Sequence, residues 1–96
     1  MLVLITYDVC TTDPAGRSRL RKVSKYCVKY GQRVQNSVFE CLLDEAQYKL
    51  VQHQLLKMID DQQDSLRFYR LGNSFTDKVD HFGVKMAYNP EECMLV

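Results

Sequence analysis

The sequence contains no Gly/Ser/Pro-rich tract, no internal repeat and no like-charge tail, and its 4 glycines and 2 prolines are scattered singly. Those absences exclude collagen-like, solenoid and disordered classes and leave a chain expected to fold nearly from end to end. Long apolar runs are missing too. The opening Met1-Leu2-Val3-Leu4-Ile5 is apolar, but no basic region precedes it and Asp8 follows soon after. Neither a signal peptide nor a membrane span is expected, and no membrane partner.

The chemical motifs that announce common enzymes are also absent. Cys10, Cys27, Cys41 and Cys93 form no C-x-x-C pair and have no nearby histidine to complete a zinc site. Their even number permits a disulfide framework, but a chain this rich in aliphatic residues does not need one, and free thiols in a reducing cytoplasm are the reading adopted. No Gly-rich phosphate loop is present. His53 and His81 each stand without a Cys, Ser or carboxylate partner at motif spacing. Thr11, Thr12, Ser37 and Ser74 read, as residues, as caps and turns rather than nucleophiles. Nothing in the chain reads bases: there is no helix-turn-helix, zinc finger or aromatic ladder.

What is present is one domain's worth of alternating elements, 96 residues with room for a single core and no separate catalytic domain. Residues 2–7 form an apolar, β-branched run ending in Asp8, the pattern of a central strand. Asp13-Pro14 starts a helix running to about residue 30, with Asp13 as cap and Pro14 at the first helical position. Leu20, Val23, Cys27 and Tyr30 fall on one face of it, and Gly31 reads as its stop. Residues 33–43 are rich in strand formers with a break at Asn36-Ser37, so two short strands or one bent strand are expected. Asp44 with Gln47 is a capping-box signature for a second helix, lined by Tyr48, Val51, Leu55, Met58 and Ile59. Ser65 to Leu71 alternates as a further strand. Residues 79–86 hold a possible extra strand interrupted at Gly83, with the tail taken as 73–96 and the core as about 2–72.

The order β-α-β-β-α-β is that of an α+β, ferredoxin-like (split βαβ) domain. Its exposed sheet edges invite pairing between two copies, so a homodimer is expected.

Charge is segregated along this chain. The net charge is only +1, yet Pro14 to Phe39 carries seven bases and no acid, while Glu40 to Leu66 carries six acids against Lys49 and Lys57. Arg17, Arg21, Lys25 and Lys29 recur every four residues and form a stripe on the first helix. Such a stripe is either a solvated face or a track for nucleic-acid phosphates; the lack of any acid among these residues favours the track. At the other candidate site, Asp8 ends the first strand. One carboxylate is too few to hold Mg²⁺, but two Asp8 side chains meeting across a two-fold axis would hold it and polarise a phosphodiester. The plainer alternative, favoured by the residues alone, is that Asp8 caps a loop or the first helix.

Taken together, Leu4-Ile5-Thr6-Tyr7-Asp8-Val9, the Arg-rich helix, the stretch from Tyr30 to Cys41 (Tyr-Gly-Gln-Arg-Val-Gln-Asn-Ser-Val-Phe-Glu-Cys) and Asp64-Ser65-Leu66-Arg67-Phe68-Tyr69-Arg70-Leu71 resemble the small CRISPR-associated endonuclease family of spacer acquisition. The resemblance spans roughly residues 2–72. It implies a ferredoxin-like homodimer in antiviral defence that cleaves DNA or RNA with Mg²⁺, or another divalent metal such as Mn²⁺, at Asp8. It also implies a bridging role between dimers of the spacer integrase, with basic surfaces holding duplex DNA. Carried over residue by residue, Asp8 is the metal ligand, Tyr7 and Ser37 belong to the catalytic group, Arg17, Arg19 and Arg33 meet nucleic acid, and Phe39 lies at the dimer interface; Arg21 and Lys25 join the nucleic-acid set from the basic stripe. The alternatives kept open are a non-catalytic nucleic-acid scaffold and a metal-free ferredoxin-like interaction module.

Overall fold

The computed structural model describes residues 1–73 and 78–83. Six elements follow one another: β1 (Leu2–Asp8), α1 (Pro14–Cys27), β2 (Gly31–Gln35), β3 (Val38–Leu42), α2 (Glu45–Met58) and β4 (Ser65–Gly72). The strands form one antiparallel sheet in the order β2-β3-β1-β4, the ferredoxin-like arrangement. The sheet is the layer on which both helices pack.

Alternation along the strands decides which side the helices cover. Val3, Ile5 and Tyr7 of β1, with Phe39 and Cys41 of β3, are fully buried against Leu20, Val23 and Cys27 of α1 and Tyr48, Val51 and Leu55 of α2. The intervening residues Leu4, Thr6 and Asp8 point the other way, beside Val38, Glu40 and Leu42 across one ladder and Ser65, Arg67 and Tyr69 across the other. No helix among the described residues covers that second side, and Leu42 is left 51% exposed there. No helix among them is long and apolar enough to cross a membrane.

Local chemistry places the helices as the sequence implies. Asp13 accepts a bond from the Ala15 N–H at 3.2 Å with Pro14 behind it, and the Asp44–Gln47 box is closed in both directions, at 2.7 and 3.0 Å. The first helix is shorter than expected. It ends at Cys27, and Val28 to Tyr30 turn into the sheet, with Tyr30 N–H bonding to the Cys27 carbonyl. Gly31 is therefore not a helix stop but the first residue of β2; a Cβ there would lie 1.9 Å from the Glu40 carbonyl oxygen of the neighbouring strand. Of the possible strand at 79–86, residues 79–83 are irregular and 84–86 lie outside the described residues, as does the rest of the tail.

Gly16, on the first turn of α1, presses just as closely on the loop that leaves β1. A Cβ there would lie 1.9 Å from the Cys10 carbonyl oxygen, and both partners are backbone that cannot rotate away. Gly16→Ala is expected to push α1 off the loop and cost about 2 kcal/mol, the range of an overpacked interior. A urea midpoint unchanged by this substitution would show that helix and loop are not in fixed contact.

Candidate active site

Beyond the buried face of β1, the strand ends in Asp8, whose backbone is held from three directions. Tyr7 N–H bonds to the Ser37 carbonyl at 2.9 Å, Asp8 stands opposite Ser65 in the β1–β4 ladder, and the Tyr7 hydroxyl donates to the Asp64 carboxylate. Asp64 is the hub of this corner. Its side chain is 1% exposed and also receives Arg19 Nε at 2.8 Å, Arg19 Nη2 at 3.1 Å and the Asp60 N–H at 3.0 Å. Strand, helix and the α2–β4 loop are thus joined at one carboxylate, next to the chain that carries Asp8.

These contacts settle the ionisation of the hub. Burial alone would raise the Asp64 pKa, but the guanidinium of Arg19, the Tyr7 hydroxyl and the Asp60 N–H hold it below the ordinary carboxylate value. Burial, reinforced by the bond to Asp64, pushes Tyr7 from a phenol's ordinary 10.0 up to about 12.

On the uncovered side of the sheet, Thr6, Tyr7, Asp8, Ser37, Ser65, Arg67 and Tyr69 line an open cleft of about 420 Å³. Asp8 is exposed there. Three of the expected residues line this cleft, Tyr7, Asp8 and Ser37. Its residues from β4, Ser65, Arg67 and Tyr69, were not foreseen. Their only signal was the alternation of β4, which puts them on one face without saying what that face opposes.

Several of the expected residues are engaged within the chain. Tyr7 is 1% exposed and its hydroxyl, bonded to Asp64, anchors the end of β1. Arg19 is bonded to Asp64 through two N–H groups and its side chain is 16% exposed. Arg33 donates through Nε and Nη2 to the Asn36 carbonyl, at 2.8 and 2.5 Å, clamping the turn that carries Ser37. Phe39 is fully buried in the core, with the Arg33 guanidinium 5.7 Å from its ring centre, and has no side-chain surface to offer a second copy. Arg17, Arg21 and Lys25 are exposed on α1, on the helix layer and across the sheet from the Asp8 cleft; Arg17 also bonds to the Thr11 carbonyl at 2.9 Å. His53 and His81 are exposed and remain outside the site.

As a metal centre, one chain is incomplete. No group of three or more His, Cys, Asp or Glu among the described residues is placed to hold an ion. The donors of the cleft are nonetheless hard oxygens, one carboxylate and several hydroxyls, the kind Mg²⁺ and Mn²⁺ prefer. A second Asp8 would bring the set to two carboxylates.

A ferredoxin-like domain with a strand-end carboxylate facing an open, hydroxyl-lined cleft defines a class of small α+β proteins suited to phosphodiester chemistry. Comparison with known proteins narrows the class. A family profile described as CRISPR associated protein Cas2 matches residues 1–79. The chain is 55% identical to the CRISPR-associated endoribonuclease Cas2 of Chlorobaculum tepidum over the full length of both, and 53% identical to the CRISPR-associated endonuclease Cas2 of Halalkalibacterium halodurans over 99% of each. The crystal structure of Streptococcus pyogenes Cas2 at pH 6.5 superposes with a TM-score of 0.80 at 54% identity, covering 86% of this chain and 100% of that one. The chain belongs to the Cas2 family of CRISPR-associated proteins.

The hub predicts how stability varies with pH. Because the folded Asp64 pKa is depressed, its contribution is complete above the unfolded carboxylate value of about 3.9 and is lost as pH falls through the folded value. Because the folded Tyr7 pKa is raised, its contribution is complete below pH 10.0 and is lost as pH climbs toward about 12. Asp64→Asn, which leaves Arg19 facing a neutral group, is expected to lower stability at pH 7 by about 3 kcal/mol. Tyr7→Phe is expected to show a smaller alkaline loss than the parent, the remainder belonging to Tyr26, which burial also pushes up to about 12. Denaturant midpoints measured from pH 2 to 12 test both; a Tyr7→Phe curve parallel to that of the parent between pH 9 and 12 would remove Tyr7 from the hub.

Proposed function

We propose that this chain is an endonuclease of the CRISPR system that acts as a homodimer and cleaves phosphodiester bonds with a divalent metal held between two Asp8 carboxylates. The observation that carries this reading is the placement of Asp8 at the rim of an open sheet face, beside hydroxyl donors and facing away from the core. Membership in a family whose relatives are named endonucleases and endoribonucleases agrees with it.

The open face also supports the dimer. Leu42 and Tyr69 are 51% and 42% exposed there, beside the half-buried Leu4 and Val38. An antiparallel sheet with one face packed and one apolar but uncovered gains most by stacking on a second sheet. Sheet-to-sheet stacking about a two-fold axis brings like residues of the face toward one another, Asp8 among them.

When bound, a divalent ion supplies positive charge that polarises the phosphodiester and favours deprotonation of water. The protein's own part is to hold and orient. The two Asp8 carboxylates supply ligands on a backbone fixed by the Tyr7–Ser37 and Tyr7–Asp64 bonds, and hydroxyls of Ser37 and Ser65 are available to the substrate's phosphate oxygens. In the overall change, a water oxygen bonds to phosphorus, the bond to the leaving sugar oxygen breaks, and that oxygen departs with a proton.

Cleavage of DNA or RNA is expected to require Mg²⁺ or Mn²⁺ and to disappear in Asp8→Asn, which keeps the size and removes the charge. Assays with duplex DNA, single-stranded DNA and RNA side by side also identify the substrate. Undiminished cleavage by Asp8→Asn in every case would end the catalytic assignment.

A second role, as a duplex-holding bridge for the spacer integrase, is favoured by a separate observation. Arg17, Arg21 and Lys25 are exposed along α1, and none of them forms an ion pair with a carboxylate among the described residues. Replacing all three with Ala is expected to weaken duplex binding and to reduce the slope of log affinity against log salt by about 2 to 3, the loss of three phosphate contacts. Asp8→Asn is expected to bind duplex like the parent. Equal salt slopes for the triple variant and the parent would refute the track.

A further inference from the structure

Arg67 occupies a defined place in the cleft. Register puts Arg67 directly opposite Thr6 and Ser65 directly opposite Asp8, so Arg67 lies one diagonal step from Asp8 on the same face of the sheet. Both residues line the same cleft, with the hydroxyls of Ser37 and Ser65. The Arg67 guanidinium donates through Nη1 to the Tyr69 hydroxyl at 3.3 Å, which lies two residues along on the same face. It makes no salt bridge to a carboxylate among the described residues. This contrasts with Arg19, Arg33 and Arg70, whose guanidinium groups are taken up by Asp64, the Asn36 carbonyl and Glu45.

We infer that Arg67 is the phosphate-holding residue of the Asp8 cleft, its guanidinium gripping a non-bridging oxygen of the phosphodiester that Asp8 acts on. The inference rests on the nuclease reading given above and adds a residue to it. The charges argue for it. The lining carries one acid and one base, so a divalent cation drawn to Asp8 and a phosphate drawn to Arg67 would complete the cleft without leaving either charge unmatched. A guanidinium presents a planar fork of donors that fits two oxygens of one phosphate, and with a single bond spent on Tyr69 most of that fork is free. The Tyr69 contact holds the guanidinium on the open face of the sheet, the face that carries Asp8. During hydrolysis the Arg67 N–H groups stay on the non-bridging oxygen and their bonds strengthen as negative charge gathers there, an effect worth about a hundredfold in kcat for one well-placed donor.

Two measurements test this, one independent of cleavage. In the first, Arg67→Ala and Arg67→Lys are assayed with Mg²⁺ on whichever nucleic acid the parent cleaves. Arg67→Ala is expected to lose about a hundredfold in kcat with the Mg²⁺ concentration for half-maximal rate unchanged, because Arg67 meets phosphate and not metal. Arg67→Lys, which keeps the charge and loses the fork, is expected to recover part of the loss. In the second, inorganic phosphate is titrated into the metal-free protein while the backbone amides of Ser65 to Tyr69 are followed by NMR. Shifts that saturate in the parent and vanish in Arg67→Ala are expected. If Asp8→Asn is dead while Arg67→Ala cleaves with parental kcat, this inference falls and the nuclease reading stands. If the parent cleaves nothing, the nuclease reading falls and phosphate binding alone decides. Equal phosphate shifts in parent and Arg67→Ala, or none in the parent, overturn the role of Arg67.

Discussion

The carboxylate of Asp64 is the contact on which the functional corner depends. Folding removes this group from water, which by itself disfavours its charge. Four donors reverse the balance: the Tyr7 hydroxyl, two N–H groups of Arg19 and the Asp60 N–H. The donors come from three parts of the corner, the end of β1, α1 and the loop before β4. The ionised Asp64 therefore acts as a three-way tie, and its geometry constrains the backbone immediately before Ser65 and the residue immediately before Asp8.

Because side chains alternate along a strand, fixing Tyr7 inward fixes Asp8 outward. A slip of one residue in β1 would bury the carboxylate and expose the phenol. The Tyr7 hydroxyl bond to Asp64 opposes that slip at the strand's end, and the Tyr7 N–H bond to Ser37 opposes it from the other flank. The same two bonds hold the Ser37 turn and the start of β4 in place, so the walls of the cleft and its carboxylate are positioned by one set of contacts. Arg33, clamped on the Asn36 carbonyl, stiffens the turn from within.

The elements were legible because their signals are local. Asp13-Pro14, Asp44 with Gln47 and the alternation of Ser65 to Leu71 each act within a few residues, and each gave its expected element. Asp8 and the stripe of Arg17, Arg21 and Lys25 were legible for the same reason, one ending a strand and the others repeating by fours. What could not be read was pairing at long range. Arg19 and Asp64 are 45 residues apart, and nothing in the spacing says that one arginine of a basic helix faces inward to a buried acid. Gly31 looked like a helix stop because its actual constraint, the backbone of Glu40, comes from another strand. Arg67 was hidden likewise, since its neighbour Asp8 is brought to it only by the β1–β4 register.

Segregating the charges by layer has a consequence for how the two functional surfaces work together. The basic stripe lies on the solvent side of α1, whereas Asp8 and Arg67 lie on the uncovered side of the sheet. With the thickness of the domain between them, one chain cannot hold a phosphate on its stripe and present the same phosphate to its own Asp8. Stacking two copies through their open faces would put both stripes on the outside and both carboxylates within. The stripes would then be accessible to a long duplex while the cleft admits only a strand that reaches the junction between copies. On the proposed roles, holding and cutting would be separable by mutation, the first resting on Arg17, Arg21 and Lys25 of α1 and the second on Arg67.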